Sequence, residues 1–156
     1  MDRELKKNNR TFLSNKPEEL EESEQELTMV ELERVIKEAS NEKAAGEDNI
    51  PHEFLKELGP KAKRLLLHIF NRIWKGEPIP QQWRTAIIKP LLKDGKDPAM
   101  TSSYRPISLT ACLGKTMEKI IADRLGNILE ERKLLNDKQA GFRRNRCTAD
   151  QVLKAV

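Results

Sequence analysis

Three stretches of this chain carry apolar residues at helical spacing, and two short apolar runs read as strands. Met29, Leu32, Val35, Ile36 and Ala39 fall on one face of a helix. Thr28 and Glu31 form a capping-box pair ahead of them, so a helix is predicted from about Met29 to Ser40. A polar loop from Lys43 to Asn49 follows. Pro51, as a first-turn proline, opens a short helix to Leu58, and Gly59 closes it. Pro60 opens the next helix, in which Leu66, Ile69, Phe70, Ile73 and Trp74 recur at helical spacing. Gly76 ends it, and Pro78 and Pro80 prevent its continuation. A long amphipathic helix is predicted from about Ala111 to Arg132, with Leu113, Met117, Ile120, Ile121, Leu125, Ile128 and Leu129 on one face. Thr148 with Gln151 repeats the capping-box pattern and opens a helix still running at Val156. A chain that stops in mid-helix is expected to be a fragment of something longer.

The two strand-like runs are Ala86 to Leu92 and Tyr104 to Leu109. Between them lies a polar connection that includes Asp94, Gly95, Lys96, Asp97 and Pro98. Each run carries a cation where it meets that connection, Lys93 on one side and Arg105 on the other. Paired as a hairpin, the runs would project both cations from one short ribbon, a geometry suited to gripping a polyphosphate. Two ordinary surface cations on a hairpin would read the same way.

Composition narrows the picture. Of 156 residues 35% are charged and only 4% aromatic, so the core must be mainly Leu and Ile. No apolar run approaches the roughly 20 residues that span a bilayer, so no membrane partner is expected. MDRELKKNNR at the N-terminus lacks the apolar stretch of a secretory signal. Cys112 and Cys147 lack metal-ligand spacing and read as reduced thiols. An intracellular protein, nuclear or cytoplasmic and not secreted, is expected. Residues 1–27 carry net charge −3 and an acidic cluster from Glu18 to Glu26, and read as a flexible polar leader. Residues 28–83 are neutral and residues 84–156 carry +7. A basic C-terminal half points to an anionic partner, nucleic acid first among them. His52 and His68 stand alone on helices and read as surface or interfacial. Trp74 and Trp83 read as core rather than as base-stacking platforms.

Four motifs occur in one order: KAAGEDNIPHEFLK (Lys43 to Lys56), WRTAIIKPLLKDGKDP from Trp83, SYRPISLTACLGKTMEKII from Ser103, and QAGFRRNRCTADQ from Gln139. Together they resemble the reverse transcriptase of non-LTR (LINE-type) retrotransposons, from about Leu27 to the end. The resemblance has departures. The first motif in that family usually reads like KAPGPDGIP, whereas Ala45, Glu47 and Asn49 stand here in place of two prolines and a glycine. Asn49 therefore falls where a turn needs positive φ, which Asn tolerates better than most residues. Asn145-Arg146-Cys147 stands where the family commonly has Gly-Arg-Ser. These changes suggest a divergent or decayed element copy.

The resemblance implies a fingers-type fragment of a right-hand polymerase: an α+β, mostly α-helical fold with one antiparallel β-hairpin, and the palm missing. Residues 28–156 would be a partial reverse transcriptase domain, the N-terminal extension plus fingers. Lys93 and Arg105 would contact the triphosphate of an incoming deoxynucleoside triphosphate. In the last motif Phe142 is expected to anchor the segment in the core, with Arg143 and Arg146 pointing outward to line the template path. An arginine cluster capping nearby carbonyls is the bland alternative. Lys43, with Gly46 and Asp48, would approach template or primer, or form a plain structural turn. Template RNA and primer DNA would be the partners of the full-length enzyme and Mg²⁺ its cofactor. Polymerase chemistry needs carboxylates that bridge metals. Asp48, Asp94, Asp97, Asp123, Asp137 and Asp150 are scattered, so no catalytic residue and no bound metal is expected in this chain alone. Two other classes stay open: a co-opted nucleic-acid-binding module, and a helical interaction protein or non-functional transposon remnant.

Overall fold

The computed structural model describes residues 25–136, 139–143, 145–147 and 149. The leader through residue 24 and the helix predicted after Thr148 lie outside the described residues. Helix α1 (Met29–Glu38) begins at the expected capping box: the Glu31 N–H donates to Thr28 Oγ1 at 3.3 Å, and the Thr28 N–H donates back to Glu31 Oε2 at 2.8 Å. Helix α2 (His52–Lys56) starts one residue after Pro51, which serves as its N-cap. Helix α3 (Pro60–Trp74) has its proline at the first helical position, and Gly76 turns the chain out at φ 107°. One turn that the pattern did not predict, α4 (Gln81–Arg84), follows Pro80. Strands β1 (Ala86–Leu92) and β2 (Tyr104–Thr110) pair antiparallel as a two-stranded sheet, and helix α5 (Cys112–Glu131) closes the described fold. The class is α+β, mainly helical, with one hairpin. No helix among the described residues is long and apolar enough to cross a membrane.

The core forms where α1 lies against α5 and α2 and α3 lie against α1. Leu32, Leu55, Phe70 and Ile120 are all but fully buried. Trp83 packs its ring edge-to-face against Phe70, with centroids 5.7 Å apart. On its other side Trp83 meets Gly114, where a Cβ would come within 3.3 Å of the tryptophan Cβ. Both tryptophans lie partly buried against the core, as the spacing suggested.

One cross-chain clamp was invisible in the pattern. Arg124 of α5 donates to Glu31 Oε1 at 2.6 Å and to Glu31 Oε2 at 2.8 Å. Its Nη1 also donates to the Gln25 carbonyl at 2.6 Å, and Nη2 donates to the Glu26 carbonyl at 2.8 Å. A single guanidinium thus ties the α1 cap to α5, a use that needs a planar fork rather than a point charge. The Arg124 hydrogen bonds, with help from Thr28, hold the Glu31 carboxyl at about 2. A carboxylate depressed in the folded state stabilises above its unfolded pKa and loses that stability as pH falls through the folded value. We expect stability to decline between about pH 4.5 and pH 2 partly through this pair. Arg124→Ala should cost about 1–2 kcal/mol at neutral pH and flatten that acid limb. Urea titrations of both proteins across this range check it; an unchanged acid limb in the variant contradicts it.

The ribbon is two strands wide and largely exposed: Ile88 is 58% and Leu91 56% accessible. An apolar ribbon with two open edges invites further strands. Its two central prolines answer this. Pro90 sits opposite Pro106, and the Lys93 N–H donates to Ser103 O at 2.9 Å. Pairing alternates residue by residue, so Lys93, Leu91 and Lys89 turn their backbone groups into the ladder, while Pro90 and Pro106 face outward. The missing N–H groups therefore cost no ladder bond and interrupt both edges. Pro90→Val with Pro106→Val should restore two edge donors and promote self-association, read as concentration-dependent light scattering. A double variant as monodisperse as the parent contradicts this account.

Candidate phosphate and nucleic-acid interface

The ribbon's register settles which of its side chains share a face. Leu91 lies opposite Arg105 and Lys89 opposite Ile107, and the Lys93–Ser103 bond continues the same ladder. Directly opposed residues point to one side, and positions two apart along a strand share it. Lys89, Lys93 and Arg105 therefore lie on one face with Ile87, Leu91, Ile107 and Leu109. The other face, from Ala86, Ile88, Pro90 and Leu92 to Tyr104, Pro106, Ser108 and Thr110, carries no charge. Neither face carries a carboxylate. Lys93 and Arg105 are diagonal neighbours, a relation that places Cβ atoms within about 7–8 Å.

The connection between the strands is closed by its own hydrogen bonds. The Lys96 N–H donates to Lys93 O at 3.2 Å across a turn in which Gly95 takes φ 68°. Asp97 Oδ1 accepts from the Ala99 N–H at 2.9 Å, and the Tyr104 hydroxyl donates to Pro98 O at 3.0 Å. Lys93 Nζ donates to Ser102 O at 2.8 Å, which fixes its side chain at the ribbon end and leaves two further N–H donors. The Arg105 side chain is exposed and makes no hydrogen bond or ion pair among the described residues. The sequence-predicted pair is therefore brought together on one side of the ribbon.

The first motif packs at the ribbon's base. A Cβ on Gly46 would lie 2.5 Å from Ala111 N and 2.6 Å from Thr110 C, both backbone atoms at the junction of β2 and α5. Only glycine allows that approach. The Asn49 N–H donates to Gly46 O at 3.1 Å, and Asn49 takes φ 53°, the left-handed conformation expected of a residue in a glycine's place. Asp48 Oδ1 accepts from the Ile50 N–H at 3.2 Å, as in an Asx turn. Lys43 is exposed at the start of this loop. Asp48 and Gly46 thus hold the turn, and of these three residues Lys43 is the one that is exposed.

The last motif differs from its expectation. Phe142 is not in the core: its side chain is fully exposed. Arg143, expected to point outward, is turned in, with its side chain 6% accessible. Its guanidinium donates to Glu130 Oε1 at 2.7 Å and Oε2 at 2.6 Å, and to the carbonyls of Asn136 at 2.9 Å and Gln139 at 3.3 Å. The cause is local geometry. Phe142 takes φ 61°, which swings its ring away while Arg143 faces α5. A bulky residue in that region is strained, and the four-point hold on Arg143 is what over-determines it. That hydrogen-bonded arginine also depresses the Glu130 carboxyl, with a smaller contribution from Arg146. Arg146 is half-buried near Glu130. His52 is half-buried and, through burial first and the Lys115 charge second, held below its ordinary pKa. Magnesium, implied by the resemblance, finds no set of ligands: no group of three or more His, Cys, Asp or Glu converges among the described residues.

No protein-family model matches the chain. Curated proteins do. The "Probable RNA-directed DNA polymerase from transposon BS" of Drosophila melanogaster is 39% identical over 126 residues, 81% of this chain and 14% of that protein. The "Probable RNA-directed DNA polymerase from transposon X-element" of the same fly is 37% identical over the same shares. The "RNA-directed DNA polymerase from mobile element jockey", also from this fly, is 34% identical over 130 residues, 83% of this chain and 14% of that protein. The chain spans only 14% of the length of these curated relatives. Over that stretch, which corresponds to one part of those proteins, it belongs to the family of non-LTR retrotransposon RNA-directed DNA polymerases.

Proposed function

We propose that this chain is the fingers-type part of an RNA-directed DNA polymerase, with the N-terminal extension ahead of it. Its β-ribbon grips the triphosphate of an incoming deoxynucleoside triphosphate through Lys93 and Arg105. The observation that carries the reading is the shared face: two cations, diagonal across one exposed ribbon, with no carboxylate in either paired strand. A triphosphate is a dense anion; Lys offers a mobile point charge and Arg a planar fork for two phosphate oxygens. Charge builds on those oxygens during nucleotidyl transfer, so cations already held in place also favour the transition state.

Template contacts fall to the exposed Lys43 and to Arg146, while Arg143 positions the Gly141–Arg146 segment against α5. Their grip on a phosphate backbone is salt-dependent and blind to sequence. The whole polymerase acts inside the cell, in nucleus or cytoplasm, copying template RNA onto a DNA primer. Its Mg²⁺ is held by carboxylates of a palm that the described residues do not include. The test is equilibrium titration of the chain with a deoxynucleoside triphosphate and its monophosphate at low salt. The triphosphate should bind more tightly, and Lys93→Ala and Arg105→Ala should each weaken it about tenfold. Equal affinity for both nucleotides, or triphosphate binding that survives either substitution, overturns the reading.

A further inference from the structure

We infer that Lys89 is the third cation of the same phosphate grip, so that the ribbon binds a chain of three phosphates rather than two. The inference rests on the proposed role of Lys93 and Arg105 and adds a residue that none of the four sequence motifs pointed to as a ligand. The register carries it. Lys89 lies opposite Ile107, one same-face step from Leu91, which lies opposite Arg105. Arg105 therefore has Lys89 diagonal to it on one side and Lys93 on the other. Same-face neighbours along a strand are about 6.6–6.8 Å apart, so Lys89 and Lys93, two such steps apart, lie about 13 Å from each other, with Arg105 between them and about 7–8 Å from each.

Two further observations separate this from scattered surface lysines. Every charged side chain of the paired strands is a cation on this one face, and the opposite face is neutral throughout. Lys89 is exposed and its side chain makes no hydrogen bond or ion pair among the described residues, so its charge is not already neutralised. The rest of this face is apolar and accessible, at Ile87, Leu91 and Ile107. Three like charges crowded on such a strip repel one another, which costs stability until an anion bridges them. An oligophosphate is a linear anion on which the long side chains of Lys89, Arg105 and Lys93 can converge from this one face. Lys93, held by Ser102 O, fixes one end, Arg105 takes the middle phosphate with its fork, and Lys89 reaches the far phosphate from the ribbon's base.

The experiment titrates the 156-residue chain with inorganic tripolyphosphate and, separately, pyrophosphate. Lys89→Ala should weaken tripolyphosphate binding about five- to tenfold and pyrophosphate binding less than twofold, because the shorter anion is filled by the other two cations. Lys37→Ala, which removes the same charge from α1, should leave both affinities unchanged; far-UV circular dichroism confirms the fold of each variant. If Lys89→Ala weakens both anions equally, or neither, the third-cation inference is overturned while Lys93 and Arg105 stand. If Lys93→Ala and Arg105→Ala also leave tripolyphosphate affinity unchanged, or the parent chain does not bind it, the phosphate grip itself falls.

Discussion

Gly46→Ala is expected to lower the stability of this chain by about 3 kcal/mol, a large share of what a domain this size possesses. The added methyl would lie 2.5 Å from Ala111 N and 2.9 Å from Ala111 Cα. These are backbone atoms at the start of α5, so no side-chain rotation relieves the clash. Ala111 and Cys112 are themselves fully buried, and moving them disturbs the packing beneath. Either the Lys43–Asn49 loop lifts off or the β2–α5 junction shifts, and both alter how the ribbon leaves the helical body. Denaturant unfolding should show a lower midpoint with an unchanged slope. A variant within about 0.5 kcal/mol of the parent would show that the close approach is not maintained in solution.

Removing both Lys93 and Arg105 should abolish selective triphosphate binding, with affinity falling about a hundredfold or more. Each side chain alone contributes a charge-assisted contact of about 1.5 kcal/mol at an exposed site. Because both act on one ligand, the double variant should lose the preference for triphosphate over monophosphate as well as affinity. Arginine at position 93 should recover part of the loss, since charge is kept; lysine at 105 should recover less, since the two-oxygen fork is gone. The parent's affinity should fall steeply with added salt and the double variant's hardly at all. Neither position lies in the core, so melting temperatures should move little.

Much of the fold was legible because it rests on local signals. Thr28 and Glu31 announced the α1 cap, Pro60 and Gly76 bracketed α3, and the apolar runs marked both strands to within a residue. Asn49 at positive φ followed from its place in a turn. What escaped the sequence is long-range or depends on one backbone angle. Arg124 clamps a residue 93 positions earlier, and no spacing rule connects them. Gly46 looks like any loop glycine until the β2–α5 junction is seen to lie against it. Phe142 and Arg143 exchanged their expected places, because hydrophobicity suggested burial while the left-handed turn and the Glu130 ion pair dictated the reverse. A hairpin fixes side-chain direction by register alone, so Lys93 and Arg105 could be placed once the strands were paired.

The most direct test is to watch both cationic heads during a single titration, by nitrogen NMR of Lys93 Nζ and Arg105 Nε with a deoxynucleoside triphosphate added at low salt. Both signals should move together, along one saturation curve, and stay still when the monophosphate is added instead. Nucleotide that binds while either signal remains unmoved would mean that the ribbon does not hold the phosphates between these two side chains.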